Sequence, residues 1–87
     1  MADKPINITS HARFEMKRRG IREADVVRAI RHPGQVVPSD RGRDVCQSVI
    51  GRAKRLLLRV VVSEEALVYH VVTACKTSKI AKYWSSS

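Results

Sequence analysis

Three side chains in this sequence have the chemistry of proton transfer and phosphate binding: His11, Arg59 and His70. His11 stands in the stretch Thr9-Ser10-His11-Ala12-Arg13-Phe14-Glu15-Met16-Lys17-Arg18-Arg19-Gly20, which opens with hydroxyl residues and closes in cations and a glycine. Imidazole is the one side chain whose ordinary titration falls near neutrality. At the first turn of a helix, beside Arg13, the positive dipole end favours the neutral ring, which can accept a proton. Such a group serves a metal-free phosphodiester cleavage as general base or acid. The competing reading is a histidine that caps its own helix or packs against a sheet.

Arg59 and His70 are brought together by a hairpin argument. If residues 63–66 form the loop, Val62 faces Leu67, and the pairs running back keep a constant index sum. One face then carries Leu56, Leu58, Val60, Val62, Leu67, Tyr69, Val71 and Thr73, and should hold the helices. The other carries Arg59 directly opposite His70 on an open surface. Arginine holds phosphate bidentately and stabilises a pentavalent transition state. A slip of one residue breaks the pairing, and a cross-strand pair that only solvates the sheet is the plain alternative. His32, before Pro33-Gly34, reads as a helix-end residue.

The C-terminal string sets Lys76, Lys79 and Lys82 among Thr77, Ser78, Tyr83 and Trp84. Cations interleaved with aromatics suit single-stranded nucleic acid, through phosphate contact and base stacking. Trp84 reads equally as an anchor for the last segment. Arg41, Arg43, Arg52, Lys54 and Arg55 lie in two turns and would add a phosphate-attracting rim. The sequence has no phosphate-binding glycine loop, no zinc pattern of Cys and His and no acidic cluster for Mg²⁺, so no cofactor or metal is expected. A helix-turn-helix reader fits poorly, because Glu23 and Asp25 would approach the groove.

Around these residues the chain reads as one domain of 87 residues with a formal charge of +9 and a pI near 10.4. That balance favours polyanions as partners. Cys46 and Cys75 make neither a disulfide framework nor a metal cluster, and no apolar run resembles a signal peptide or a membrane span; a reduced, cytoplasmic protein is expected. The patterning predicts helices over about 10–19 and 22–31, then strands over 35–37, 44–50, 55–62 and 67–75. The implied architecture is α+β: two N-terminal helices on one face of an antiparallel four-stranded sheet. Its core would span about 8–84, with flexible ends at 1–7 and 85–87.

A family resemblance adds to this reading. His11-Ala12-x-x-x-Met16-x-x-Arg19-Gly20-Ile21, Gly42-Arg43-x-Val45-x-Gln47, Leu57-x-Arg59-Val60-Val61-Val62 and Val72-Thr73-x-x-Lys76-Thr77-Ser78-Lys79-Ile80-x-Lys82-Tyr83-Trp84 resemble a domain-of-unknown-function family of small bacterial proteins. That family is itself similar to RelE/ParE-like toxins and the barnase/RelE-type ribonuclease fold. The resemblance covers about 8–84 and implies a metal-independent endoribonuclease neutralised by an acidic antitoxin protein. It carries over His11, Arg19, Arg59, Thr73, Lys76 and Tyr83 as site positions. Glu15 departs from a basic preference, and Cys46 and Cys75 stand where the pattern often has tyrosine.

The expectation from sequence is therefore an RNA-cleaving, toxin-like domain, acting on RNA free or on the ribosome. Catalysis would fall to His11, Arg59, His70, Lys76 and Tyr83. His11 or His70 would deprotonate the 2′-hydroxyl, and Arg59 and Lys76 would stabilise the phosphorane. The other histidine or Tyr83 would assist the leaving oxygen. Arg13, Arg19, Arg43, Arg55, Lys79 and Lys82 would hold the backbone. The alternative is a non-catalytic nucleic-acid-binding or regulatory module on the same basic surface.

Overall fold

A computed structural model describes residues 4–84. The chain runs β1 (Ile6–Ile8), α1 (Ser10–Arg19), α2 (Glu23–Arg31), β2 (Gln35–Pro38), β3 (Asp44–Ile50), β4 (Leu56–Glu64), β5 (Tyr69–Thr77) and α3 (Ile80–Tyr83). The α+β class and the two early helices stand as expected. The four-stranded antiparallel sheet does not: five strands pair in the order β1-β5-β4-β3-β2, and β1 runs parallel to β5. Ile6 and Ile8 are three-residue-strand positions with no alternating run long enough to announce them. Part of the supposedly flexible 1–7 segment is thus sheet edge. The remaining expectations for 1–3 and 85–87 lie outside the described residues.

Helix α1 begins where its residues require. Thr9 is extended and its hydroxyl accepts from the Ala12 amide at 3.2 Å while donating to the Val71 carbonyl at 2.8 Å. One side chain thus caps the helix and ties it to β5. Gly20 ends α1 at φ +67°, a left-handed position that favours glycine. Only Ala12 and Met16 of α1 are buried, so its hold on the sheet depends on polar ties as well as apolar contact. Helix α2 buries Val26, Ala29 and Ile30 and carries acidic residues first and basic residues last, matching the dipole.

These side chains meet Cys46, Leu58, Val60, Val62, Tyr69, Val71 and Ala74 from the sheet in one core. Each fully buried aliphatic there contributes roughly 1.5–3 kcal/mol.

The β4–β5 hairpin corrects the pairing expected for Arg59. Glu65 and Val68 exchange backbone hydrogen bonds at 2.9 and 3.3 Å, so the turn is Ala66-Leu67 and Glu64 pairs with Tyr69. Val62 faces Val71 rather than Leu67. The slip is an even number of residues, which leaves Tyr69 and Val71 on the core side.

A bulge between Val61 and Val62 then inserts Val72 into β5. Beyond it the parity reverses: Ala74 faces the core, and Thr73 and Cys75 oppose Val61 and Arg59 on the second face. Arg59 consequently pairs with Cys75, and His70 pairs with Ser63. The Arg59–His70 pair does not exist.

Candidate functional site

The second sheet face is not open throughout, because the chain's last segment folds back over it. Val45, Gln47 and Leu57, which point away from the two long helices, are almost wholly buried. The Trp84 ring lies over Gly34, where an added Cβ would sit 3.2 Å from both the ring and the Gln47 carbonyl. Gly34 in turn donates its amide to that carbonyl at 3.0 Å. A side chain at position 34 would push the covering segment outward.

Under this cover lies a polar cluster. Gln47 is 0% exposed, and every hydrogen-bonding position on its amide that the cluster needs is used. Its Oε1 accepts from Arg59 Nε at 2.8 Å, and its Nε2 donates to Gln35 Oε1 at 2.8 Å and to the Tyr83 carbonyl at 3.1 Å. No buried side-chain polar atom among the described residues lacks a partner. Such a network holds a side chain in one geometry, since breaking any link strands a buried group.

The group so held is the Arg59 guanidinium, lying 4.3 Å from the centroid of the Tyr83 ring. Lys82 Nζ lies 5.3 Å from the same centroid. Arg59 makes no ion pair among the described residues: its partners are an amide and an aromatic ring, both neutral. A half-buried cation positioned through Nε, with its terminal nitrogens uncommitted, is suited to an anion arriving from outside.

The chain belongs to a domain-of-unknown-function family, DUF4258. The match covers residues 8–82. The chain matches no curated protein and no solved structure. Within this DUF4258 domain Gln47, Arg59 and Lys82 fall inside the matched segment, and Tyr83 lies one residue beyond it.

The other expected site residues are dispersed. His11 is exposed on the first turn of α1, on the helix-bearing side of the sheet. Lys76 is on that side too, its Nζ donating to the Gly20 carbonyl at 3.2 Å. His70 lies on the second face but five residues from Cys75, roughly 15 Å along the strand from the pair of Arg59. Its Nδ1 is 3.1 Å from Asn7 Nδ2 and its Nε2 is 3.5 Å from Glu65. Of the five residues expected to act together, only Arg59 and Tyr83 meet.

The backbone-holding set divides likewise. Lys82 joins the Arg59 cluster, and Lys79 precedes α3. Arg19 donates to the Ala74 carbonyl at 2.8 Å and also pairs with Glu15, tying α1 to β5. Arg13 pairs with Glu23 at 3.2 Å, Arg43 closes the 3-10 turn at Asp40–Gly42, and Arg55 is exposed before β4. Glu15 changes the character of α1: hydrogen bonds from Arg18, then the charges of Arg18, Arg19 and His11, hold its carboxyl below the ordinary range against opposing desolvation. The cations that close α1 are thus partly neutralised by their own helix.

Gln47 and Gln35 had no role in the sequence reading, although Gln47 stood in the quoted motif. The signal was available. Taking Gly51–Arg55 as a turn and pairing Ile50 with Leu56 sets Gln47 opposite Arg59, as observed. An amide in the apolar strand Val45-Cys46-Gln47-Ser48-Val49 needs a polar partner, and the facing arginine is it. Among the described residues no group of His, Cys, Asp and Glu could hold a metal ion. Among the described residues no helix is long and apolar enough to cross a membrane.

Proposed function

We propose that this protein binds single-stranded RNA on the sheet face that carries Arg59, with the phosphate backbone on Arg59 and Lys82 and a base against Tyr83 or Trp84. The observation that carries this reading is the unpaired Arg59 guanidinium, fixed by the buried Gln47 amide beside an aromatic ring. Retaining a half-buried cation with only neutral partners is costly unless an anion completes it. The +9 charge supplies long-range attraction to a polyanion, and the aromatics supply sequence-tolerant stacking.

A second reading, metal-independent RNA cleavage of the toxin type, rests on the family resemblance and on one pairing. Arg59 and Tyr83 are a charge stabiliser and a phenol in contact, the minimum for electrostatic and proton-transfer help at a phosphodiester. The histidines lie too far away to join them in this arrangement. On this reading an acidic antitoxin protein would cover the same basic face.

One experiment separates the two. Labelled single-stranded RNA is incubated with the protein in EDTA, and both retention on a filter and cleavage on a gel are measured. Binding without cleavage, weakened tenfold or more by Arg59→Ala and much less by His11→Ala, supports the binding module. Cleavage that is lost in both Arg59→Ala and Tyr83→Phe moves the protein into the enzymes. RNA affinity indistinguishable between wild type and Arg59→Ala overturns the assignment of this face.

A further inference from the structure

A second basic site lies away from the Arg59 face, between α2 and the β3–β4 turn. Here a hollow of about 560 Å³ is walled by Arg22, Asp25, Arg28, Ser48, Ile50 and Arg52, among others. A smaller hollow of about 310 Å³ shares Arg22, Asp25, Ile50 and Gly51 with it and extends to Lys76. The two form one groove beneath α2. The larger is within the ordinary size range for a small-molecule site.

The wall has a definite charge pattern. Three arginines against one aspartate leave the larger hollow with a surplus of two positive charges. Arg22 is committed to Asp25, through Nε at 3.2 Å and Nη2 at 3.3 Å. Arg28 and Arg52 have no ion pair or side-chain hydrogen bond among the described residues. A phosphomonoester carries about −1.5 to −2 at neutral pH, which matches the surplus.

The turn that presents Arg52 is fixed in shape. Gly51 has φ +90°, and a Cβ there would fall 2.2 Å from the Lys54 carbonyl oxygen. Asp25, although bound by Arg22, retains lone pairs on both oxygens for hydroxyl donors, since a carboxylate offers about four acceptor sites. Ile50, on the helix-bearing side of the sheet, adds an apolar surface against which a planar ring can lie.

Cations for a phosphate, a carboxylate for hydroxyls and an apolar surface for a ring make up the recognition set of a ribonucleotide. We propose that this groove binds a ribonucleotide phosphomonoester, with the phosphate on Arg28 and Arg52, the ribose hydroxyls on Asp25 and the base against Ile50. The ligand is a free mononucleotide or the phosphorylated end of an RNA strand; both offer the same chemistry. Gly34 borders both sites, but the groove's charged groups are not those of the Arg59 cluster, so the two assignments are tested by different variants.

The test is an NMR titration of the intact ¹⁵N-labelled protein with adenosine 5′-monophosphate, inorganic phosphate and adenosine, each alone. The expected result is perturbation of the Ser48 and Gly51 amides by the nucleotide, with an affinity at least tenfold above that for phosphate or adenosine. The double variant Arg28→Ala/Arg52→Ala, altered only at exposed side chains, should weaken nucleotide binding tenfold or more. Asp25→Asn should reduce the preference for the ribonucleotide over its 2′,3′-dideoxy counterpart.

A tetra-adenylate with a 5′-phosphate, compared with its dephosphorylated form, identifies the source. Binding of the phosphorylated strand at the same amides assigns a strand end, and its exclusion while the mononucleotide binds assigns a free nucleotide. Absence of perturbation at these amides at millimolar nucleotide, or unchanged affinity in the double variant, overturns the proposal.

Discussion

Gln47 is the residue on which the described polar geometry turns. Its amide joins three chain segments, through Gln35 on β2, Arg59 on β4 and the Tyr83 carbonyl on α3. Gln47→Ala removes the hydrogen-bond partner that these three half-buried groups share, at a cost of about 1–3 kcal/mol. The expected drop in melting temperature is roughly 4–8 °C for each kcal/mol in a domain of this size. Calorimetry on Gln47→Ala and Arg59→Ala checks it, and the double variant should lose less than the sum because the two share a bond. A second expectation concerns Cys46, whose thiol burial pushes up to about 11, with Asp44 adding to the effect. The folded value is raised, so its contribution to stability is complete below about pH 9 and is lost as pH rises toward 11. Urea melts between pH 8 and pH 10.5 should therefore fall less steeply for Cys46→Ala than for wild type. Native thiol labelling at neutral pH should modify Cys75, which is partly exposed, well before Cys46.

At the scale of elements, the helices were legible and the sheet was legible only locally. Thr9 and Gly20 bracket α1, and the acidic-to-basic order brackets α2, because caps and dipoles act within one turn. Asp44–Ile50 could be read from its run of β-formers. The register of β4 and β5 was not legible, since Ser63, Glu64 and Glu65 look like a loop yet two of them pair as strand. Their pairing is decided by contacts far away in sequence, among them the ion pair of Lys4 with Glu64 and β1 lying along β5. The Val72 bulge is a second such effect, and it alone moves Cys75 and Thr73 to the face of Arg59. The site was thus half readable: Arg59, Tyr83 and Lys82 as residue types, but not their assembly. The turn glycines make a matched prediction. Gly51 and Gly42 both have positive φ, but an added Cβ meets Lys54 at 2.2 Å in the first and nothing within 4 Å in the second. Gly42→Ala should cost about 1 kcal/mol from backbone strain alone. Gly51→Ala should cost clearly more, and chemical denaturation of the two variants side by side measures the difference.

For the molecule as a whole, the question is how a charge of +9 is distributed between folding and binding. Several cations are committed internally: Arg19 to Ala74 and Glu15, Lys76 to Gly20, Arg22 to Asp25. The ion pairs of Arg19 and Arg22 contribute little to stability, so their main effect is to remove charge from parts of the surface, whereas Lys76, bonded to a neutral carbonyl, keeps its charge. What is left uncommitted includes Arg59 and Lys82 around Tyr83, and Arg28 and Arg52 beside the groove. If RNA lies along the Arg59 face, its affinity must fall with salt at a slope of about 0.7 per phosphate neutralised, as counterions are released from the strand. Lys82→Ala should then lower both affinity and slope, the slope by about 0.7. Tyr83→Leu should lower affinity by the loss of stacking, about 1–3 kcal/mol, and leave the slope nearly unchanged. Binding isotherms across a series of KCl concentrations separate these outcomes. A slope that responds to Arg28→Ala/Arg52→Ala but not to Lys82→Ala would move the strand from the sheet face to the groove. The same distribution of charge would then serve one ligand path rather than two.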